Sequence, residues 1–96
     1  MFEVELLTEA EKELANAYDW YEEQLTSLGN RFYKEIKYYL TLIENNPYLF
    51  QIRYSEELRA ASLNKFPFLI IYWIDEINRV VYVTSIFHTS RSPKYF

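Results

Sequence analysis

The sequence predicts an α+β fold of two layers, in which an N-terminal strand and a helical hairpin pack on an antiparallel sheet in the order β-α-α-β-β-β. Apolar residues recur at helical spacing through residues 9–45. The last third of the chain instead holds short segments rich in β-branched and aromatic residues, which favour strands. The apolar stripe of the helices needs a sheet face to cover it, and two layers provide one. With 96 residues, the chain is expected to be a single domain over residues 1–96.

The first element is predicted to be a strand over residues 2–7, at or near an edge of the sheet. Its sequence, FEVELL, alternates between apolar and acidic residues up to Leu6, which is typical of a strand with one face in water. Thr8 follows, with Glu11 three residues later. This is the spacing of a capping box, so Thr8 is expected to cap the first helix.

The helical hairpin is predicted from the spacing of its apolar residues. Positions 10, 14, 17, 18, 21, 25 and 28 are apolar, which predicts a first helix from about Glu9 to Leu25. Ser27 is a candidate cap for a second helix, which Asn45-Asn46-Pro47 ends. Because two or three residues join the helices, they must be antiparallel. The apolar stripe of the second helix is Phe32, Ile36, Leu40 and Ile43.

Residues 47–58 show no period and are expected to form a loop, after which three strands follow. They are predicted at Arg59–Lys65, Phe68–Ile74 and Val80–Phe87, with a hairpin turn at residues 75–78. The middle segment, FLIIYWI, is continuously apolar, which predicts a strand covered on both faces.

Charge is distributed unevenly along the chain. The net charge is −4, of which residues 1–29 carry −7 and residues 58–96 carry +3. The acidic first third argues against a general nucleic-acid binder, which is usually basic throughout. The acids of the first helix are expected to lie in water: Glu9, Glu11, Glu13, Glu22 and Glu23.

The expected strand pairing gathers basic residues at one end of the sheet. If Ile74 faces Val80, then Phe68 faces Ile86, and if Lys65 faces Phe68, then Arg59 faces Ile74. The residues expected together at one end are Lys65, His88, Arg91 and Lys94, with Tyr95 nearby, and those at the opposite end are Arg59 and Arg79. The first group is either a solvated basic rim or a site for phosphate or an acidic partner.

His88 is the one histidine of the sequence, and two interpretations of it stay open. It is either a half-buried residue at a strand end or a general acid or base. A metal site is not expected, because one histidine and no cysteine leave only carboxylates as further ligands. The sequence also shows no phosphate-binding loop or nucleophile motif, so no cofactor is expected.

No membrane partner is expected. The longest apolar run, Phe66–Ile74, is far shorter than the ~20 residues that cross a bilayer as a helix. The start of the sequence also lacks the features of a signal peptide, which predicts a cytoplasmic location.

Aromatic residues are too numerous for one small core, with 2 Trp, 10 Tyr and 7 Phe. Those off or beside the main stripes include Trp20, Tyr33, Tyr38, Tyr48, Phe50 and Tyr54. They either cover the edges of the core with their polar tips in water or form a protein-binding surface.

Over essentially its whole length, the chain resembles the RelE/ParE family of type II toxin–antitoxin toxins, and the ParE branch more closely. The resemblance rests on an ordered set of short motifs: Thr8-Glu9-Ala10, Asp19-Trp20-Tyr21, Leu28-Gly29 with Arg31-Phe32, Asn46-Pro47 with Phe50, Arg59, KFPFLIIY at residues 65–72 and HTSRSP at residues 88–93. The fold of the family, a helical hairpin on an antiparallel sheet, agrees with the predicted order of elements.

The resemblance implies a bacterial toxin of a plasmid stabilisation system, neutralised by a cognate antitoxin. The candidate antitoxin contacts are Trp20, Tyr33 and Tyr38. Family antitoxins are often acidic, so the basic C-terminal end would also gain by meeting one. ParE-like members poison DNA gyrase by binding it, and the candidate target contacts here are Lys65, His88, Arg91 and Lys94.

Two alternatives stay open. RelE-like members cut mRNA in the ribosome, using basic residues with Tyr or His to stabilise phosphate charge and transfer protons. The residues that could serve this reaction are Arg59, Lys65, His88, Arg91 and Tyr95. This basic set is small, and a net charge of −4 suits ribosomal RNA poorly, which favours the gyrase branch. The second alternative is an inactive module that only binds antitoxin.

Overall fold

A computed structural model describes residues 1–90 and confirms the predicted order of elements. The strands are β1 (Glu3–Leu6), β2 (Arg59–Ser62), β3 (Phe68–Asp75) and β4 (Val80–His88), and the helices are α1 (Thr8–Gln24) and α2 (Leu28–Asn45). Residues 47–58 form the expected loop, apart from an isolated bridge between Ile52 and Arg59. Within residues 1–90, no helix has the length and hydrophobicity needed to cross a bilayer.

The four strands form one mixed sheet in the order β1-β4-β3-β2. The last three strands pair in antiparallel fashion, as predicted. β1 lies at the edge and pairs with β4 in parallel, with Glu3 opposite Val80 and Leu6 opposite Val83. The two inner strands are therefore β4 and β3, and β4 lies between β1 and β3.

The predicted strand register is wrong by one or two residues. Arg59 faces Tyr72 instead of Ile74, and Phe68 faces His88 instead of Ile86. Two local features explain the shift. β2 ends at Ser62, because residues 64–67 bend away before β3 begins, and a bulge interrupts the β3–β4 pairing between Ile71 and Tyr72. The shift leaves Lys65 and His88 at one end of the sheet and Arg59 and Arg79 at the other, as predicted.

The predicted side-chain caps of both helices are also wrong, because neither Thr8 nor Ser27 caps a helix with its hydroxyl. Leu7, not Thr8, occupies the N-cap position of α1, because the Leu7 N–H still bonds the Val83 carbonyl of β4 and α1 begins immediately after it. Ser27 occupies the N-cap position of α2 with a left-handed φ of 74°, but its side chain forms no cap hydrogen bond. The Glu22 carboxylate caps α2 instead.

Glu22 therefore does not lie free in water as predicted. Its Oε1 accepts the N–H of Gly29 at 2.8 Å and that of Asn30 at 3.3 Å, while its Oε2 accepts the N–H of Ser27 at 3.3 Å. These bonds satisfy amide groups that the first turn of a helix leaves without an intrahelical partner. Glu22 thereby ties the end of α1 to the start of α2.

The core lies between the helical hairpin and one face of the sheet. Its aromatic centre is the cluster of Tyr21, Phe32, Phe66 and Phe68, whose rings lie 4.9–6.3 Å apart. Phe32, Ile36 and Ile43 of the α2 stripe are buried as predicted, and Leu40 is partly buried. Leu25, predicted on the α1 stripe, is 57% exposed. A smaller cluster of Ala60, Leu69 and Ile71 is buried on the second sheet face, which confirms that β3 is covered on both sides.

Candidate functional site

Lys65 and His88 lie at the same end of the sheet, as predicted, but they line different grooves. Lys65 follows β2, and His88 ends β4 opposite Phe68, whose ring meets the imidazole edge-on at 5.0 Å. α2 forms a wall of the groove that contains Lys65, and α1 forms a wall of the one that contains His88. Arg91, Lys94 and Tyr95, predicted beside them, lie outside the described residues.

The first surface, which we call the α2 groove, is basic and aromatic. Its volume is about 790 Å³, and its lining residues are Leu28, Arg31, Lys34, Glu35, Tyr38, Tyr39, Asn64, Lys65 and Phe66. Glu35 fixes its geometry: both carboxylate oxygens accept the Lys65 N–H at 3.0 Å, and Oε1 accepts the Phe66 N–H at 3.2 Å. These bonds hold the β2–β3 connection against α2, so that Lys65 completes a surface begun by the helix.

Sequence analysis named Tyr38 as a candidate contact but missed the basic α2 residues of this groove, Arg31 and Lys34. Arg31, Lys34 and Tyr38 follow one another at intervals of three and four, which places them on one helix face. That spacing is the signal that could have identified them. Burial raises the pKa of Tyr39 beside them, and the negative charge of Glu35 and the neighbouring Tyr38 raise it further.

The second surface, which we call the His88 groove, has a volume of about 270 Å³ and is acidic. Its lining residues are Glu9, Glu13, Asn16, Ala17, Phe68, Ile86, Phe87 and His88. Within residues 1–90, none of them is Lys or Arg. Such a groove attracts cations more readily than the phosphates of a nucleic acid.

Glu13 in the His88 groove was predicted to lie in water, which is wrong. Its Oε1 accepts the Ile86 N–H at 2.9 Å and the Ser85 hydroxyl at 3.0 Å, so it fastens α1 to β4. His88 itself is half-buried, and its Nδ1 accepts the Ser90 N–H at 3.1 Å. In a neutral imidazole, this bond assigns the proton to Nε2.

Arg59 and Arg79 lie at the opposite end of the sheet, as predicted. The Arg59 guanidinium donates to the Phe50 carbonyl at 2.7 Å and covers the Tyr48 ring at 5.3 Å. Arg79 covers the Phe2 ring at 4.2 Å, and the Phe2 and Tyr48 rings meet edge-on at 6.3 Å. Tyr48 donates to Glu76 at 2.8 Å, and this hydrogen bond raises the pKa of Tyr48.

Of the residues expected for RNA cleavage, Arg59 lies apart from the two others within residues 1–90, Lys65 and His88. Arg59 pairs with Tyr72, four positions along β3 from the Phe68–His88 pair, which corresponds to roughly 13 Å. Its guanidinium bonds the loop backbone at its own end of the sheet. Within residues 1–90, no group of three or more His, Cys, Asp or Glu residues could hold a metal ion.

The three aromatic residues proposed for antitoxin contact are exposed but lie on separate surfaces. Tyr38 is 60% exposed and lines the α2 groove. Tyr33 is 41% exposed and lines a groove of about 540 Å³ against α1 and Leu6. Trp20 is 47% exposed and packs edge-on against Tyr21 at 5.2 Å. No observation of the structure tests their role, which stays a prediction.

Comparison with solved structures shows the same fold in toxin–antitoxin proteins. The chain matches the chromosomal ParDE system from P. aeruginosa with a TM-score of 0.80 and 14% identity, over 94% of this chain and 98% of that one. It matches the isolated E. coli RelE toxin at 0.73 and 18%, over 99% and 92%. It matches the intact E. coli RelBE toxin–antitoxin complex at 0.73 and 17%, over 95% and 100%. At these identities, the likeness establishes the fold alone.

Sequence comparison places the chain in a family. No curated protein matches it. Residues 4–93 match the family model described as the ParE toxin of the type II toxin–antitoxin system parDE. This match spans nearly the whole chain and agrees with the fold. The chain therefore belongs to the ParE toxin family of type II toxin–antitoxin systems.

Proposed function

We propose that this toxin acts by binding DNA gyrase, without chemistry of its own, and that a cognate antitoxin neutralises it. Membership of the ParE family supports the gyrase target, since ParE-like members poison that enzyme by binding. The similar P. aeruginosa and E. coli structures, described as a ParDE system and a RelBE complex, support an antitoxin partner. The proposed gyrase contacts are Lys65, His88, Arg91 and Lys94, and the proposed antitoxin contacts are Trp20, Tyr33 and Tyr38.

The observation that carries the choice of binding over cleavage is the acidic character of the His88 groove. RNA cleavage needs cations that stabilise the charge developing on the phosphate. Within residues 1–90, the groove around His88 is instead lined by Glu9 and Glu13 and by no Lys or Arg. Arg59, one of the two arginines of the alternative set, is engaged with Phe50 and Tyr48 at the other end of the sheet. A binding surface requires neither a gathered set of cations nor a tuned base.

The test is to induce the toxin in a bacterium that lacks the antitoxin, and to measure plasmid supercoiling and mRNA 5′ ends in the same culture. We expect growth arrest with relaxed or broken DNA and intact transcripts. Purified toxin should also inhibit supercoiling by purified gyrase, and Lys65→Glu should weaken this inhibition. Lys37→Glu is the matched control, since Lys37 is exposed on α2 outside the α2 groove.

Two results would contradict this function. New transcript ends with normal supercoiling would identify a ribonuclease and make His88 the first residue to substitute. Continued growth, with folded toxin present at saturating amounts, would identify an inactive antitoxin-binding module. The same cultures distinguish all three cases, because each predicts a different pair of DNA and RNA readouts.

A further inference from the structure

A third groove, which we call the β1 groove, combines carboxylates with the face of an aromatic ring. Its volume is about 510 Å³, and its lining residues are Glu3, Val4, Glu5, Glu44, Val80 and Tyr82. Among residues 1–90, none of the side chains that line it is basic. It lies at the end of the sheet opposite Lys65 and His88, because Glu3 pairs with Val80 at the start of β4. The groove is therefore separate from the surfaces described above.

The register of the strands explains why a tyrosine ring faces this groove. Glu5 of β1 pairs with Tyr82 of β4, and Tyr82 pairs in turn with Trp73 of β3. The Trp73 and Tyr82 rings stack at 5.0 Å, with 30° between their planes. Trp73 thus covers one face of the Tyr82 ring, and the opposite face is directed to β1, where Tyr82 lines the groove. An aromatic face carries partial negative charge and attracts cations.

The carboxylates of the groove are available to a ligand. Glu3 and Glu5 are exposed, and Glu44, in the last turn of α2, is half-buried. In the described part of the chain, no hydrogen bond or ion pair engages these three carboxylates. The C-terminal end of α2 adds partial negative charge beside Glu44. Three like charges around one groove repel one another, and a bound cation relieves this repulsion.

The walls of the β1 groove are held together before any ligand arrives. The Phe2 N–H donates to the Glu44 carbonyl at 3.2 Å, which holds the end of α2 against the start of β1. A preformed site lowers the entropic cost of binding. The volume of about 510 Å³ also lies within the range of ligand pockets, roughly 300–1,000 Å³.

A guanidinium group matches both the ring and the carboxylates. It is planar, so it stacks on an aromatic face, and its N–H groups form paired hydrogen bonds with a carboxylate. An ammonium group is a compact and strongly hydrated charge that offers no planar face. The groove therefore suits arginine better than lysine.

We propose that the β1 groove binds an arginine side chain in a basic segment of the target enzyme. The identity of the partner rests on the proposed function, whereas the chemistry of the ligand rests on the groove. An enzyme that acts on DNA exposes basic surface to the phosphates, so its charge complements that of the groove. The groove lies eight positions along β4 from His88, which corresponds to roughly 26 Å. An acidic contact here and basic contacts at Lys65 would together fix the orientation of the toxin on its target.

The first experiment tests the ligand chemistry by fluorescence anisotropy, with full-length toxin and a labelled peptide of alternating Arg and Gly. We expect this peptide to bind more tightly than its Lys and citrulline counterparts. Glu3→Gln with Glu5→Gln should weaken binding about tenfold or more. Glu11→Gln with Glu23→Gln is the control, since it changes the net charge equally at exposed positions outside the groove. Tyr82→Leu should weaken binding roughly threefold or more, whereas Tyr82→Phe, which keeps the ring face, should not.

The second experiment measures inhibition of supercoiling by purified gyrase with the same variants. We expect the Glu3 and Glu5 variant to need about tenfold more toxin for half inhibition, and the control to match the wild type. If the wild type inhibits gyrase and the groove variants, folded by circular dichroism, inhibit it equally well, the groove proposal is overturned and the proposed function stands.

If the wild type does not inhibit gyrase, the proposed function fails and the peptide experiment decides the ligand chemistry. Equal binding of the Arg and citrulline peptides, or binding that the groove variants leave unchanged, then overturns the proposed chemistry. Two further measurements identify other occupants. A loss of affinity for antitoxin in the Glu3 and Glu5 variant, with gyrase inhibition unchanged, overturns the assignment to the target. Sedimentation that shows wild-type dimers and variant monomers overturns it in favour of a second copy of the toxin.

Discussion

Replacing Gly29 by alanine should destabilise the toxin, although the same change stabilises most helices. Gly29 is buried at the start of α2, where the helix crosses the end of α1. A Cβ atom at this position would lie 2.7 Å from the Tyr18 carbonyl oxygen and 2.6 Å from Cγ of Glu22. Real Cβ atoms essentially never approach other atoms so closely. The absence of a side chain is what allows the two helices to meet here.

The magnitude follows from two opposing effects. Alanine gains about 1 kcal/mol over glycine in helix propensity. Overpacking at a closely packed site costs typically about 1–3 kcal/mol. Displacing Glu22 also lengthens its hydrogen bonds to the start of α2, and each lost bond costs about 1 kcal/mol. We therefore expect a net loss of about 2 kcal/mol, which lowers the Tm of a domain of this size by roughly 8–16 °C.

The assay is thermal and urea unfolding of wild type and Gly29→Ala, followed by far-ultraviolet circular dichroism. Thr41→Ala is the control, because Thr41 is exposed on the same helix and gains helix propensity without a clash. The double variant with Glu22→Ala should remain less stable than wild type, since the contact with the Tyr18 backbone persists. A Tm for Gly29→Ala equal to or above that of wild type would refute the reasoning.

Three further predictions concern anchoring contacts. Burial raises the pKa of Tyr72 from its usual 10 to about 12. The neutral phenol therefore contributes at most about 3 kcal/mol to the stability of the fold below pH 10, and this contribution is lost as the pH rises from 10 to 12. The Tyr72→Phe variant lacks the hydrogen bond to the Pro47 carbonyl, so its free energy of unfolding at pH 8 should be lower by about 1 kcal/mol. Its urea midpoints at pH 8 and pH 11 should differ less than those of the wild type, and an equal difference would contradict this prediction. Arg59→Ala removes the contacts of Arg59 with the Phe50 carbonyl and the Tyr48 ring, so it should lower the free energy of unfolding by about 1–2 kcal/mol. Toxicity per folded molecule should stay unchanged in an induction assay, and a selective loss of toxicity would assign Arg59 to a functional site. Glu13→Ala should cost about 1–3 kcal/mol in urea unfolding, because the Ile86 N–H loses its acceptor, and a change within error would show that water replaces the carboxylate.

Periodicity identified the elements of this fold, because its signal is repeated along each of them. The stripe from Phe32 to Ile43 repeats over three turns of α2, and β3 is apolar over its entire predicted length. Capping and register depend instead on single hydrogen bonds between distant residues. The bond from Leu7 to Val83 moves the start of α1, and no local pattern at Thr8 reveals it.

The sequence predicted which residues lie at one end of the sheet, but not which groove each residue lines. Strand pairing correctly assigned Lys65 and His88 to one end of the sheet, since a shift of register changes faces and partners but not ends. The division into two grooves depends on which helix covers which residue, and this follows from the packing of the hairpin. The acidity of the His88 groove was missed because Glu13, expected in water, turns inward to an amide of β4.

The position of β4 between β1 and β3 makes completion of the fold depend on the progress of translation. Glu3 pairs with Val80, 77 positions later, and β3 pairs with the other side of the same strand. A nascent chain that has not yet produced β4 has two strands without their shared neighbour and an uncovered face on α1. Contacts between residues so distant in sequence form late, because the intervening chain must first be ordered. The His88 groove, which β4 helps to line, therefore cannot form until the ribosome has passed residue 88.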